Sequence, residues 1–177
     1  MTGDIKIVID AAAFLGMHAV DDTTRGACKS FFARHLHDGV LMSLEHVGWC
    51  DDVIWGHPRV VQDAYYPFMD ALHTEMDIRR VGYEEADIQA ALGSTALQDL
   101  PIRERLLMGL VLRCGAMLHT AYPELAARRD LPVVPVAPAG EQPFPEHLER
   151  LYQASLALRI PIEHLRGRVC TPEPSSP

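Results

Sequence analysis

Ile5-Lys6-Ile7-Val8-Ile9-Asp10-Ala11-Ala12-Ala13-Phe14-Leu15-Gly16-Met17 is the stretch that decides the fold. Its centre, Ile7-Val8-Ile9, is an unbroken β-branched run, the pattern of a strand buried on both faces. An acid follows at once, and then small residues that suit a helix start. Buried in a core without a partner, Asp10 would cost several kcal/mol. At the carboxyl end of a strand it instead points into the crevice where open α/β sheets hold ligands. Asp is also a favoured N-cap for a helix opening at Ala11. Cap and site both remain open here, and the two roles are compatible.

Outward from this stretch, helices and short apolar strands alternate. A helix over Ala11 to His18 is followed by one capped in Asp21-Asp22-Thr23-Thr24 and running to about Leu36. In that second helix Ala27, Phe31, Phe32 and Leu36 are expected inside, with Arg25, Lys29 and Arg34 outside. Gly39 to Ser43 reads as an internal parallel strand. Ser43 then caps a helix from Leu44 to Trp55, with Leu44, Val47, Asp51, Ile54 and Trp55 along one side and Glu45 in the first turn. Pro58 opens an amphipathic helix to about Met76, which Pro67 is expected to kink or break. Asp77 to Val81 is a third strand or an edge segment, and Tyr83 to Leu92 a further helix. Pro101 starts an apolar helix, Ile102 to Cys114, which Gly115 ends. Ala116 to His119 makes a fourth strand, a short helix follows Thr120, and Pro132 to Val136 is a proline-marked edge strand.

The fold class is therefore α/β, a short and mostly parallel central sheet flanked by helices, plus a C-terminal helix. The α/β domain is placed at residues 1–137 and a linker at 138–144. A helical extension follows at 145–168, covering a sheet edge or making a dimer contact, and a Pro/Ser-rich disordered tail at 169–177.

The 177-residue chain carries a formal charge of −8, so no global positive field draws in nucleic acid, although a local metal site acting on RNA stays open. Cys28, Cys50, Cys114 and Cys170 lie far apart and read as free thiols of a reducing compartment. The absence of a long apolar run, with a strand reached by Ile5, leads us to expect a cytoplasmic protein without membrane spans. No GxGxxG, P-loop, HExxH or zinc-type cluster is present.

The order of three passages resembles a PIN-like domain, the fold of many metal-dependent ribonucleases, including toxins of toxin–antitoxin pairs. They are Ile7-Val8-Ile9-Asp10 with Ala11 to Leu15, Val40-Leu41-Met42-Ser43 with its acid-bearing helix, and Glu104 to Leu125. Together they span residues 4–136. The resemblance implies a carboxylate site for Mg²⁺ or Mn²⁺ built from Asp10, Glu104 and one acid of the third helix. Glu45 is favoured for that acid because it lies within a turn of the strand end, with Asp51 in reserve. Two departures stand out: Glu104 occupies a usual aspartate position, and Tyr122 replaces a further aspartate.

Hard cations prefer carboxylate oxygens and lower the pKa of bound water, which is the chemistry of phosphodiester hydrolysis. A phenol of pKa about 10 is a poor substitute ligand, so Tyr122 is placed with Thr120, His46 and Trp49 as a substrate-binding candidate. Blander readings stand beside these. Glu45 and Glu104 in first helical turns also complement helix dipoles. His46 and His119 read more readily as structural histidines, and Trp49 and Trp55 as core residues. Two functions follow: a metal-dependent ribonuclease, or a divergent PIN-like protein that binds a partner, such as an antitoxin-like protein, or acts on a small molecule.

Overall fold

The computed structural model describes residues 6–138 and 140–165, so the tail assigned to 169–177 lies outside the described residues. Five strands, β1 (Ile7–Ile9), β2 (Val40–Ser43), β3 (Ile78–Val81), β4 (Met117–Thr120) and β5 (Val133–Pro135), form one sheet. Their order is β3-β2-β1-β4-β5 and every pairing is parallel. The α/β class is as expected, with "mostly parallel" sharpened to wholly parallel. Ile9 is level with Met42 on one side and His119 on the other. That register brings Asp10, Ser43 and Thr120 to the same edge of the sheet.

Helices cover both faces. On one lie α1 (Ala11–Gly16), α2 (Asp22–Arg34), α3 (Leu44–Trp55), α4 (Arg59–Glu75) and α8 (Glu146–Ser155), sharing a core with Ile9, Val40 and Met42. On the other, α6 (Ile102–Cys114), α7 (Pro123–Ala126) and the 3₁₀ turn Thr95–Leu97 pack on Val8 and Leu118, with α5 (Glu85–Gly93) laid against α6. Val8 and Ile9 thus point to opposite cores, as the period of two along a strand requires. Gly115 ends α6 with φ 58°, the left-handed conformation in which glycine carries no steric penalty.

Several local expectations are corrected. The buried stripe of α3 is His46, Cys50 and Ile54, whereas Leu44 and Trp55 are exposed. Trp55 is 71% exposed and donates its indole N–H to the Tyr66 hydroxyl at 2.8 Å. The assigned helix α4 continues through Pro67, held by the buried side chains Tyr65, Phe68 and Leu72 on both sides of it. Pro67 still denies the Asp63 carbonyl its helical donor.

Lys29 is buried, not outside: its ammonium pairs with Glu149 at 2.9 Å and sits 5.6 Å from the ring centres of Phe144 and Tyr152. The partner that draws it inward is α8. Instead of covering a sheet edge, α8 packs on α4, and Phe144, Leu148 and Tyr152 enter the main core. Tyr152 donates to the Met17 carbonyl at 2.9 Å, and Ser155 Oγ lies 2.7 Å from His18 Nε2. Beyond it a short helix, α9 (Ile162–Leu165), turns back to α1.

Cys28, Cys50 and Cys114 are free thiols, and Cys170 lies outside the described residues. Among the described residues no helix is long and apolar enough to cross a membrane.

The closest helix pair depends on Gly109. A β-carbon there would stand 2.3 Å from the Asp87 carbonyl oxygen and 2.9 Å from the Ala91 β-carbon. Both obstacles belong to α5 and neither is a flexible side-chain end. We expect Gly109→Ala to separate α5 from α6 and to lower stability by about 2–3 kcal/mol, read from the urea midpoint.

Candidate functional site

The sheet order reverses at β1: the chain moves from β1 to β2 and β3 on one side, then crosses to β4 and β5 on the other. In open α/β sheets the crevice at such a switch point, beyond the carboxyl ends of the strands, is the natural ligand site. Asp10, from the end of β1, lies there and is only 3% exposed. Its Oδ1 accepts the Ala13 amide at 2.8 Å and so caps α1. Its Oδ2 accepts the Thr120 hydroxyl from the end of β4. Thr120 Oγ1 in turn accepts the Tyr122 amide at 2.9 Å. The cap expected of Asp10 is thus present, on a carboxyl that also lies in the crevice. Thr120, proposed as a substrate contact, positions Asp10 instead.

Glu104 reaches the same crevice from the first turn of α6 and is 8% exposed. Its Oε2 is buried without a hydrogen-bond partner. Asp10, Glu104, His46, Trp49, Tyr122 and Leu165 are among the residues lining one small cavity of about 10 Å³, roughly the space of one water molecule. Leu165 of α9 and Leu125 of α7 are among the apolar side chains in its wall.

Electrostatics mark the two carboxyls. Burial raises the pKa of Asp10 to about 6 against the pull of its hydrogen bonds from Thr120 and Ala13, and the charge of Glu104 adds to the rise. Burial likewise raises Glu104; its own backbone amide and Arg103 oppose this, and Glu45 reinforces it. His46 is held neutral, its pKa pushed down to about 3 by burial and then by Arg103.

The acids of α3 are placed elsewhere. Glu45 is exposed, accepts the Tyr83 hydroxyl at 3.1 Å and lies 3.5 Å from Arg103 Nε. It stands beside Glu104 but does not line the cavity. Asp51 faces a separate surface cleft with Trp55, Arg59 and Tyr66. Among the described residues no group of three or more His, Cys, Asp or Glu side chains is gathered to hold a metal ion. Trp49 lines the cavity and carries the Arg103 guanidinium 4.6 Å from its ring centre. His119 lies outside the cavity, its ring 5.1 Å from that of Phe31.

Three neighbours of the site were not singled out from sequence. Arg103 and Tyr83 frame Glu45, and Leu165 arrives from beyond the proline-rich segment. Arg103 is adjacent to Glu104 in the chain, so its presence could have been noticed. Nothing local to Tyr83 or Leu165 announces them.

Residues 1–165 match the profile of DUF6190, a family of unknown function. The chain belongs to that family. No curated protein matches the chain.

The carboxyl of Asp10 predicts a pH effect of definite sign. A folded-state pKa near 6 exceeds that of the unfolded carboxyl, so folding favours the protonated form. The group costs nothing below about pH 4, where both states are protonated, and its full cost appears above the folded pKa. Asp10→Asn keeps an N-cap side chain while removing the charge. In metal-free buffer it should match wild type near pH 4 and exceed it by about 2–3 kcal/mol at pH 7, checked by urea unfolding at each pH.

Proposed function

We propose that this DUF6190 member is a PIN-like phosphodiesterase acting on single-stranded RNA, with Asp10 and Glu104 as its carboxylate pair. One observation carries the reading: two buried carboxyls from distant parts of the chain converge on one cavity at the switch point of a parallel sheet. Both have their charged forms disfavoured by burial. Carboxyls whose charged forms are disfavoured by burial, gathered in a cleft, are candidates for a functional site.

The donor set fits a hard divalent cation. Asp10 and Glu104 offer carboxylate oxygens, and Glu104 Oε2 has no other partner. Mg²⁺ is commonly held by one or two carboxylates, its remaining positions filled by water and phosphate oxygens, so a third protein ligand is not required. Bound there, the cation would acidify a water and neutralise phosphate charge. Thr120 fixes the orientation of Asp10 through its hydroxyl. Trp49 offers a ring on which a base can stack, with Arg103 supplying a positive charge to the phosphate backbone.

A second reading is favoured by the small size of the cavity: a divergent PIN-like protein that binds a partner or a small molecule and does not cleave RNA. Melting in the presence of Mn²⁺ separates the two. At tenfold above its dissociation constant the ion should stabilise wild type by about 1.4 kcal/mol, a rise of roughly 3–5 °C. Asp10→Asn and Glu104→Gln should lose most of that rise, and cleavage of single-stranded RNA should fall with it. Tyr122→Asp, adding an oxygen ligand beside the pair, should strengthen both. Equal melting shifts in wild type and Asp10→Asn, or RNA cleavage that survives Asp10→Asn, would overturn the phosphodiesterase.

A cavity of this size admits a nucleotide only if part of its wall gives way, and the Leu165 side chain, 2% exposed, is part of that wall. Leu165→Ala should therefore raise metal-dependent cleavage several-fold. Its stability cost should be about 2–3 kcal/mol, as for a buried leucine. Unchanged cleavage in this variant would show that substrate enters by another route.

A further inference from the structure

One buried polar atom in the cavity has no role in the reading above. His46 is 2% exposed, and its Nδ1 accepts the Ala11 amide at 3.0 Å. A backbone N–H can only donate, so Nδ1 must carry a lone pair. The ring is then neutral with its proton on Nε2. An imidazolium is excluded by the same bond, since both of its nitrogens are donors. Ser43 Oγ holds the His46 amide at 3.3 Å, and the Trp49 ring lies 5.6 Å from the imidazole. The ring is thus fixed in place and in tautomer.

Its Nε2–H is buried without an acceptor, in a side chain that lines the cavity beside Asp10 and Glu104. A buried unpaired donor costs about 1–3 kcal/mol, which an acceptor entering the cavity would recover. The structural task of His46, satisfying an amide at the start of α1, is complete through Nδ1 alone. A locked donor cannot be a metal ligand, and it cannot bond a cation. It can bond an anionic oxygen.

We propose that His46 is the anion-recognising residue of this site, its Nε2–H donating to a phosphoryl oxygen of the ligand that Asp10 and Glu104 engage through a divalent cation. This rests on the phosphodiesterase reading for the identity of the anion. Two carboxylates alone repel a phosphate. A divalent cation held by these carboxylates would reverse that locally, and a neutral donor would select the oxygen without competing for the metal.

Two variants separate the nitrogens. His46→Asn places an amide oxygen near Nδ1 and so keeps the Ala11 bond while removing the donor. His46→Gln places an amide N–H near Nε2. The probe is inorganic phosphate, titrated with Mg²⁺ into full-length wild type and Leu165→Ala, with the His46 ring N–H followed by NMR in ¹⁵N-labelled protein. The Nε2–H resonance should move saturably in both. Phosphate affinity should fall about tenfold or more in His46→Asn and recover in part in His46→Gln, while the Mn²⁺ melting shift persists in both. A resonance that phosphate leaves unmoved although Mn²⁺ binds would overturn the role of His46 and spare the metal site. Movement of the resonance by phosphate when Mn²⁺ does not bind would overturn the metal site and keep the anion donor. Should His46→Asn fail to fold, the wild-type titration decides alone.

Discussion

Asp10 accepts the Ala13 amide through one oxygen and the Thr120 hydroxyl through the other, and those two bonds tie the start of the fold to a strand 110 residues away. The rest of the site is arranged around that carboxyl. β1 is central, so Asp10 has β2 and β4 on either side, and His46 and Thr120 approach it from the ends of those strands. A carboxyl in this position is costly when ionised, because burial outweighs the bonds it receives. The fold retains it although Asn would cap α1 equally well. Retaining a charge that weakens the fold is the usual mark of a residue kept for function.

The sheet was legible because its strands are short β-branched or apolar runs bounded by turn residues. Ile7-Val8-Ile9 and Val40-Leu41-Met42 have no alternative periodicity, and Gly39 and Gly115 sit at positive φ where other residues would strain. The starts of α2 and α3 followed from their caps, Asp21 and Ser43, whose side chains accept from the first turn, whereas α4, α6 and α8 open at prolines without a side-chain cap. Long-range contacts were not legible. Lys29 lies on what the pattern made an outer face. Its burial depends on Glu149, Phe144 and Tyr152, which come from beyond a proline-rich segment. No local signal records that α8 returns to α4.

The candidate site shows the same division. Asp10 and Glu104 could be named because each follows a strand or opens a helix, positions that aim a side chain at the crevice. Glu45 was favoured over Asp51 and Asp52 because the acid of the PIN-like pattern lies within a turn of the strand end. Rotation of about 100° per residue along α3 decides otherwise. The stripe facing the core is His46, Cys50 and Ile54, at spacings of four, so Glu45 turns outward to Tyr83 and Arg103. The apolar pattern of this helix misled because its true inner face contains a histidine and a cysteine, while Leu44 and Trp55 face solvent.

That rotation also bears on which ion the proposed site would take. Had Glu45 faced inward, three carboxylates would crowd a small cavity, and their mutual repulsion would demand a strongly bound cation to fold at all. With His46 inward, the cavity holds two carboxyls and a donor. The imidazole cannot lend a nitrogen to a metal while Nδ1 accepts the Ala11 amide and Nε2 carries the proton. Cys50, on the same stripe, is buried with its pKa raised well above the ordinary thiol value, so it supplies no thiolate. Only oxygen ligands remain. Softer ions such as Zn²⁺ gain most of their affinity from imidazole and thiolate, and they lose that advantage here. Selectivity for Mg²⁺ or Mn²⁺ would then come from a backbone amide at the start of α1, which withholds the His46 imidazole from the metal.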